Sequence, residues 1–185
     1  MKQRILFVCS IILFLAAGVW HTVLAVNPDV TKQIGTSITA KVEYALPYPG
    51  ILPDHPLYRV KRLRDYIYEQ IVVEPVKKGE FYVLQGDKRL HMSLFLIASG
   101  KQELAETTTS KAEKYMEKAV SIFMAHQKTG AIIPANVIEH VQLALAKHEE
   151  IISEMLVSAN AEQKNGLTES LTRVMQLREQ AKELK

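Results

Sequence analysis

Apolar residues repeat at three- and four-residue steps through most of the chain after Pro56, and this period is typical of amphipathic helices. No alternating strand pattern of useful length occurs after residue 45. Pro56, Glu74-Pro75 and Pro134 suit helix starts, and Thr129-Gly130 suits a helix end. The sequence therefore predicts an all-α fold, an antiparallel bundle of helical hairpins with four to five helices and short connections.

Each predicted helix carries an apolar stripe that is expected to face the core. The fourth stripe has the clearest period, from Val137 to Met155, and it includes His148. Gly79 and Gly86 interrupt the second helix, at about 1 kcal/mol each relative to alanine, and so mark a bend or a close contact. The first stripe consists of Leu57, Val60, Leu63, Ile67 and Ile71.

Two further local signals predict helix boundaries. Ser99 to Gln102 resembles a capping box that opens the third helix. Asn165-Gly166 is a turn signal and is expected to precede the last helix. No internal repeat or second domain is evident, so residues 56–185 are expected to form one helical domain.

The N-terminus has the build of a secretory signal peptide over residues 1–25. Lys2 and Arg4 precede an apolar run from Ile5 to Trp20, and Val23 and Ala25 suit a cleavage site. The apolar run is shorter than the roughly 20 residues that a membrane-spanning helix needs. The alternative is an uncleaved anchor, which would then be the chain's membrane attachment. Both interpretations place the remainder outside the cytoplasm, secreted or associated with the cell envelope.

Charge and cysteine content exclude several classes of function. Lys2 and Arg4 belong to the predicted signal, so 21 of the 23 basic side chains remain against 20 acidic ones. This balance gives no support to a nucleic-acid partner. Cys9 is the one cysteine and also lies in the signal. The mature chain is therefore expected to have no disulfide and no thiolate site.

Residues 26–55 are expected to form an extended strap, because four prolines between Pro47 and Pro56 leave no room for a helix. One interpretation is that the strap lies on its own helical domain. The other is that its proline and tyrosine side chains bind a partner, and the candidate contacts are Tyr44, Pro47, Tyr48 and Pro49.

The densest charge feature is the run from Arg59 to Arg64. One interpretation is a solvated helix face whose aliphatic stems cover apolar surface. The other is contact with anionic material outside the cell, either lipid headgroups or an acidic polymer. The candidate contact residues are Arg59, Lys61, Arg62 and Arg64.

No catalytic constellation is evident. The chain lacks a Gly-x-Ser-x-Gly elbow and a phosphate-binding glycine loop. His140 and His148 are eight residues apart, which misaligns them for a helical metal pair, although His126 could approach His140 across a hairpin. We therefore expect no enzyme, no metal site and no cofactor, although a hydrolase pocket would leave no trace in helix periodicity.

The block from Leu46 to Leu90 resembles a family of exported bacterial helical domains of unknown function. Its pattern is a proline-rich lead, a basic helix, a Pro-Val-Lys-Lys step and an Asp-Lys-Arg-Leu stretch. Residues 100–120 fit the same family, and Gly79 and Gly86 stand where its pattern has alanine. The resemblance implies export and a helical fold, and no activity. The matching residues are Pro53, Pro56, Leu57, Tyr58, Lys61, Arg62, Arg64, Pro75, Lys77, Lys78, Asp87, Lys88, Arg89 and Leu90.

Two hypotheses of function follow. The first is a non-enzymatic, exported helical module that binds or scaffolds an envelope component, such as a protein, an anionic polymer or a lipid surface. The alternative is an extracytoplasmic metal or stress sensor in which a helical hairpin exposes histidines and methionines.

Overall fold

Five α-helices follow one another in the computed structural model, which describes residues 42–185. The bounds are Tyr58–Ile71 (α1), Pro75–Ala98 (α2), Gln102–Lys128 (α3), Ala135–Ser158 (α4) and Ala161–Lys182 (α5). The predicted all-α fold is confirmed. The predicted signal peptide and the first residues of the strap, up to residue 41, lie outside the described residues.

The bundle is built from two hairpins. Helix α2 packs along α3 and α4 packs along α5, while α3 also lies against α5. The side chains between them are fully buried, with Leu90, Met116, Phe123, Leu145 and Ile152 each 0% exposed. None of these five helices is long and apolar enough to cross a membrane.

The helix boundaries agree with the sequence at α2 and differ at α3 and α5. The Glu74 carboxylate accepts hydrogen bonds from the backbone N–H groups of Val76 and Lys77, and this cap begins α2 as predicted. The predicted capping box at Ser99 is wrong, because the Ser99 hydroxyl donates to the Phe95 carbonyl at the end of α2. A capping box does form at Asn160, where it begins α5.

The predicted turn at Asn165-Gly166 is also wrong, since both residues lie inside α5. The Asn160 side chain accepts a hydrogen bond from the Gln163 N–H, and the Gln163 side chain accepts one from the Asn160 N–H. Because this reciprocal cap begins the helix five residues before Asn165, both residues of the Asn-Gly pair occupy ordinary positions inside the helix.

The two glycines of α2 allow it to approach α3 closely, as the sequence suggested. A Cβ atom at Gly79 would lie 2.4 Å from Cζ of Phe123. A Cβ atom at Gly86 would lie 2.7 Å from Sδ of Met116 and 3.3 Å from the carbonyl oxygen of Ala112. The missing methyl groups are thus replaced by side chains of the facing helix.

Gly79→Ala is expected to destabilise the protein by about 1–3 kcal/mol, because overpacking against the buried Phe123 ring outweighs the better helix propensity of alanine. Urea unfolding of the full-length chain measures the effect. Gly166→Ala is the matched control, since its Cβ would meet only the side chain of Glu106, which can turn away. The control should be neutral or stabilising by up to about 1 kcal/mol. Equal effects of the two changes would contradict the close approach of α2 and α3.

Helix α1 is turned the opposite way from the prediction. Its apolar stripe, expected in the core, is exposed, with Val60 at 64%, Leu63 at 60% and Ile71 at 67%. Lys61 and Asp65 are buried instead, at 8% and 7%. Side chains of α2, α3, α4 and α5 fill the core themselves. The surface on which α1 lies presents polar groups to it. The apolar period predicted the helix correctly and its orientation wrongly.

Candidate functional site

The exposed apolar stripe of α1 is the first candidate site. Each of its six large side chains is at least half exposed, and together they form what we call the outward face: Leu57, Val60, Leu63, Tyr66, Ile67 and Ile71. At about 1.5 Å per residue the stripe is about 20 Å long. Exposed apolar surface of this extent is uncommon on folded domains, and this makes the stripe a candidate binding surface.

The inner side of α1 is held to the bundle by polar contacts. Glu69 accepts a hydrogen bond from the Tyr82 hydroxyl at 2.7 Å and from Nζ of Lys118 at 3.0 Å. Burial alone would raise the pKa of Glu69, but these two hydrogen bonds outweigh it and lower the pKa. The ring of Tyr68 also packs on the ring of Phe81, with centroids 5.2 Å apart.

The four predicted anion contacts of α1 have different environments. Lys61 donates to Asp65 at 3.0 Å and is buried, and Arg64 donates to the same carboxylate at 2.7 Å. Arg59 and Arg62 are both exposed and, within residues 42–185, have no carboxylate in salt-bridge range. Of the four predicted contacts, Arg59 and Arg62 are thus exposed without a salt bridge to the described residues, Arg64 is exposed but paired with Asp65, and Lys61 is buried.

The described part of the strap lies on the bundle. The Pro47 carbonyl oxygen is 2.8 Å from Nδ1 of His91, and Pro49 is buried. Tyr44 packs against the core and Tyr48 is 57% exposed. Of the four predicted partner contacts, Tyr48 is thus the one that presents a free side chain, while the other three attach the strap to its own domain.

A cluster of ionisable groups is buried between α2, α3 and α4. Nδ1 of His148 is 2.7 Å from Oε1 of Glu113, and its Nε2 is 3.1 Å from Oδ1 of Asp87. The Tyr44 hydroxyl donates to Oδ2 of Asp87 at 2.5 Å and lies 3.0 Å from Nε2 of His140. We call Asp87, Glu113 and His148 the acid–histidine cluster. It joins three helices, and Tyr44 extends it to the strap.

Electrostatics favour the doubly protonated form of the cluster's imidazole. Burial lowers the pKa of His148, but the charges and hydrogen bonds of Glu113 and Asp87 outweigh burial and raise the pKa to about 10. Both ring nitrogens then donate, each to its own carboxylate. Burial and the charge and hydrogen bond of Asp87 also raise the pKa of Tyr44, so its hydroxyl stays a donor.

The acid–histidine cluster is enclosed by the helices that carry it. Glu113 and His148 are 0% exposed and Asp87 is 1% exposed, so a substrate could reach them only if the helices separated. Oε2 of Glu113 is also buried and accepts no hydrogen bond from the described residues. The cluster therefore fixes how three helices and the strap fit together.

Only part of this cluster could be predicted from the sequence. His148 was placed on the apolar stripe of its helix, which indicated burial, but its partners come from two other helices and their pairing depends on packing. The other histidines are dispersed, and Nδ1 of His55 accepts from the Leu57 N–H. Within the part of the chain that the structure describes, no three His, Cys, Asp or Glu side chains are arranged to hold a metal ion.

Comparison with known proteins places the chain in one family. Residues 50–183 match the family model described as a domain of unknown function, DUF5667. No curated protein and no solved structure matches the chain. The match bears out the expected membership of a family without an assigned function, and the export expected from the sequence stays a prediction.

Proposed function

Because the chain belongs to the DUF5667 family of domains of unknown function, we infer its role from its own geometry. We propose that it is a non-enzymatic, exported module that binds the lipid surface of the cell envelope through α1. The observation that carries this proposal is the orientation of α1, which buries Lys61 and Asp65 and exposes its aliphatic stripe.

The outward face has the features of a helix that lies in a membrane interface. Its centre is aliphatic, at Val60, Leu63 and Ile67, and Tyr66 stands at one edge. Tyrosine favours the boundary between acyl chains and headgroups because its ring is apolar and its hydroxyl is polar. A helix of this build binds with its axis in the plane of the bilayer and its apolar side buried.

Charge distinguishes a bilayer from a second copy of the chain. The exposed residues of α1 include Arg59, Arg62 and Arg64 and no carboxylate. Two copies that paired through their outward faces would bring these cations together, and like charges at close range oppose association. A lipid surface with anionic headgroups attracts the same cations. The charge on α1 therefore complements a lipid surface.

A tryptophan introduced on the outward face tests the proposal in the full-length chain. Trp20 is the one tryptophan of the sequence, so Trp20→Phe with Leu63→Trp creates a single reporter on α1. Bound to vesicles of phosphatidylglycerol and phosphatidylcholine brominated in its acyl chains, this reporter is expected to be strongly quenched. A reporter on α1 responds to the contact of that helix alone, whatever the N-terminal segment does.

Ile132→Trp in the same Trp20→Phe background is the matched control. Ile132 is 85% exposed and lies in the connection between α3 and α4, outside α1. The bromolipids should leave a tryptophan at that position unquenched. Equal, weak quenching at positions 63 and 132 would refute the proposal.

A further inference from the structure

The two available arginines of α1 lie on one side of its outward face. Arg59 and Arg62 are three residues apart, and Tyr66 follows Arg62 by four, so these residues share a side of the helix. Arg59 also lies in the first turn of α1, which contains no acidic residue and has no side-chain cap at Leu57. The positive end of the helix dipole therefore adds to the charge of the arginines.

The opposite side of α1 is electrostatically different. The Asp65 carboxylate accepts hydrogen bonds from Lys61 at 3.0 Å and from both Nε and an Nη atom of Arg64, at 3.1 and 2.7 Å. Its charge offsets one of the two cations, and Lys61 is buried. The free positive charge of α1 is thus concentrated along the Arg59–Arg62 side.

From this asymmetry we infer that Arg59 and Arg62 form a headgroup subsite that makes α1 selective for anionic phospholipids. The inference rests on the proposed function and names the ligand of the same surface. The apolar residues enter the acyl region, and the two guanidinium groups reach the phosphates of the headgroups beside it. Guanidinium groups suit this task, since their planar N–H donors match phosphate oxygens in pairs.

The Leu63→Trp reporter in its Trp20→Phe background distinguishes lipid binding by α1 from selectivity for anionic lipids. Vesicles of brominated phosphatidylcholine alone are compared with an equal mixture of brominated phosphatidylcholine and phosphatidylglycerol. Quenching is expected to be stronger with the anionic mixture. Adding Arg59→Gln and Arg62→Gln should lower the ratio of inserted to free α1 on that mixture about 30-fold, at about fivefold per cation.

Lys128→Gln with Lys164→Gln is the control, because it removes two exposed cations that lie off α1. This control should keep the quenching of the parent reporter. Added salt should weaken quenching of the parent and leave the arginine variant little changed. Quenching that is equal on both vesicles and indifferent to the arginines would overturn the headgroup subsite and leave lipid binding intact. Absence of quenching on both vesicles would instead overturn lipid binding itself.

Discussion

His148→Leu is expected to lower the free energy of unfolding by about 3–5 kcal/mol, the usual effect of breaking a buried ion pair by removing one partner. The substitution removes the donor to both Asp87 and Glu113, which are 1% and 0% exposed and cannot turn to water. The two carboxylates would then stay buried without the cation that lies between them. Such a loss is a large part of the stability of a typical domain, about 5–15 kcal/mol.

Urea denaturation of the full-length protein measures this loss, and two further variants define its cause. His140→Gln changes an exposed histidine of the same helix, whose Nε2 is 3.0 Å from the Tyr44 hydroxyl oxygen. It should cost less than about 1 kcal/mol. Adding Asp87→Asn and Glu113→Gln to His148→Leu should restore part of the lost stability, since the amides carry no charge. Failure of that rescue would mean that lost packing, rather than buried charge, explains the effect.

Alkaline pH is expected to destabilise the protein through the same histidine. The pKa of His148 is raised from 6.5 to about 10 in the folded state, so the folded protein holds this proton more tightly than the unfolded chain does. Its contribution is complete below pH 6.5 and is lost as the pH rises through about 10. A pKa difference of this size corresponds to about 5 kcal/mol over that interval.

Urea unfolding at a series of pH values between 6 and 10 measures the slope of the free energy of unfolding against pH. In the triple variant His148→Leu, Asp87→Asn and Glu113→Gln the slope should largely disappear, which separates the acid–histidine cluster from other alkaline titrations. Tyr44 contributes in the same direction only above its ordinary value of 10, because its pKa is raised from there. A wild-type stability that stays flat up to pH 10 would contradict the acid–histidine cluster.

The sequence predicted where most helices lie along the chain, but it predicted less well which side of each helix is buried. The apolar period, Glu74-Pro75 and Thr129-Gly130 identified the helices of the bundle, because these signals act within a few residues of one another. The helix boundaries predicted from Ser99 and Asn165-Gly166 were wrong, because a capping or turn signal competes with neighbouring ones. For α5, Asn160 formed the stronger cap.

The candidate sites could be predicted only in part. The basic run of α1 was recognisable, but which of its cations remain free depends on Asp65 and on how α1 is turned. A hydrophobic period places the apolar residues on one side of a helix and does not state whether that side meets the core or the surroundings. The pairing of His148 with Glu113 and Asp87 arises from contacts between distant segments, for which a single sequence holds no local signal.

The polar inner side of α1 has a consequence for the energetics of local motion. Detaching this helix from α2 and α3 would break the bonds of Glu69, hydrate Lys61 and Asp65 and separate the Tyr68 ring from Phe81, but the aliphatic residues of the outward face are already exposed. Such an opening requires far less free energy and a smaller change in heat capacity than unfolding the hairpins. We therefore expect the amides of α1 to exchange their hydrogens independently of the two hairpins.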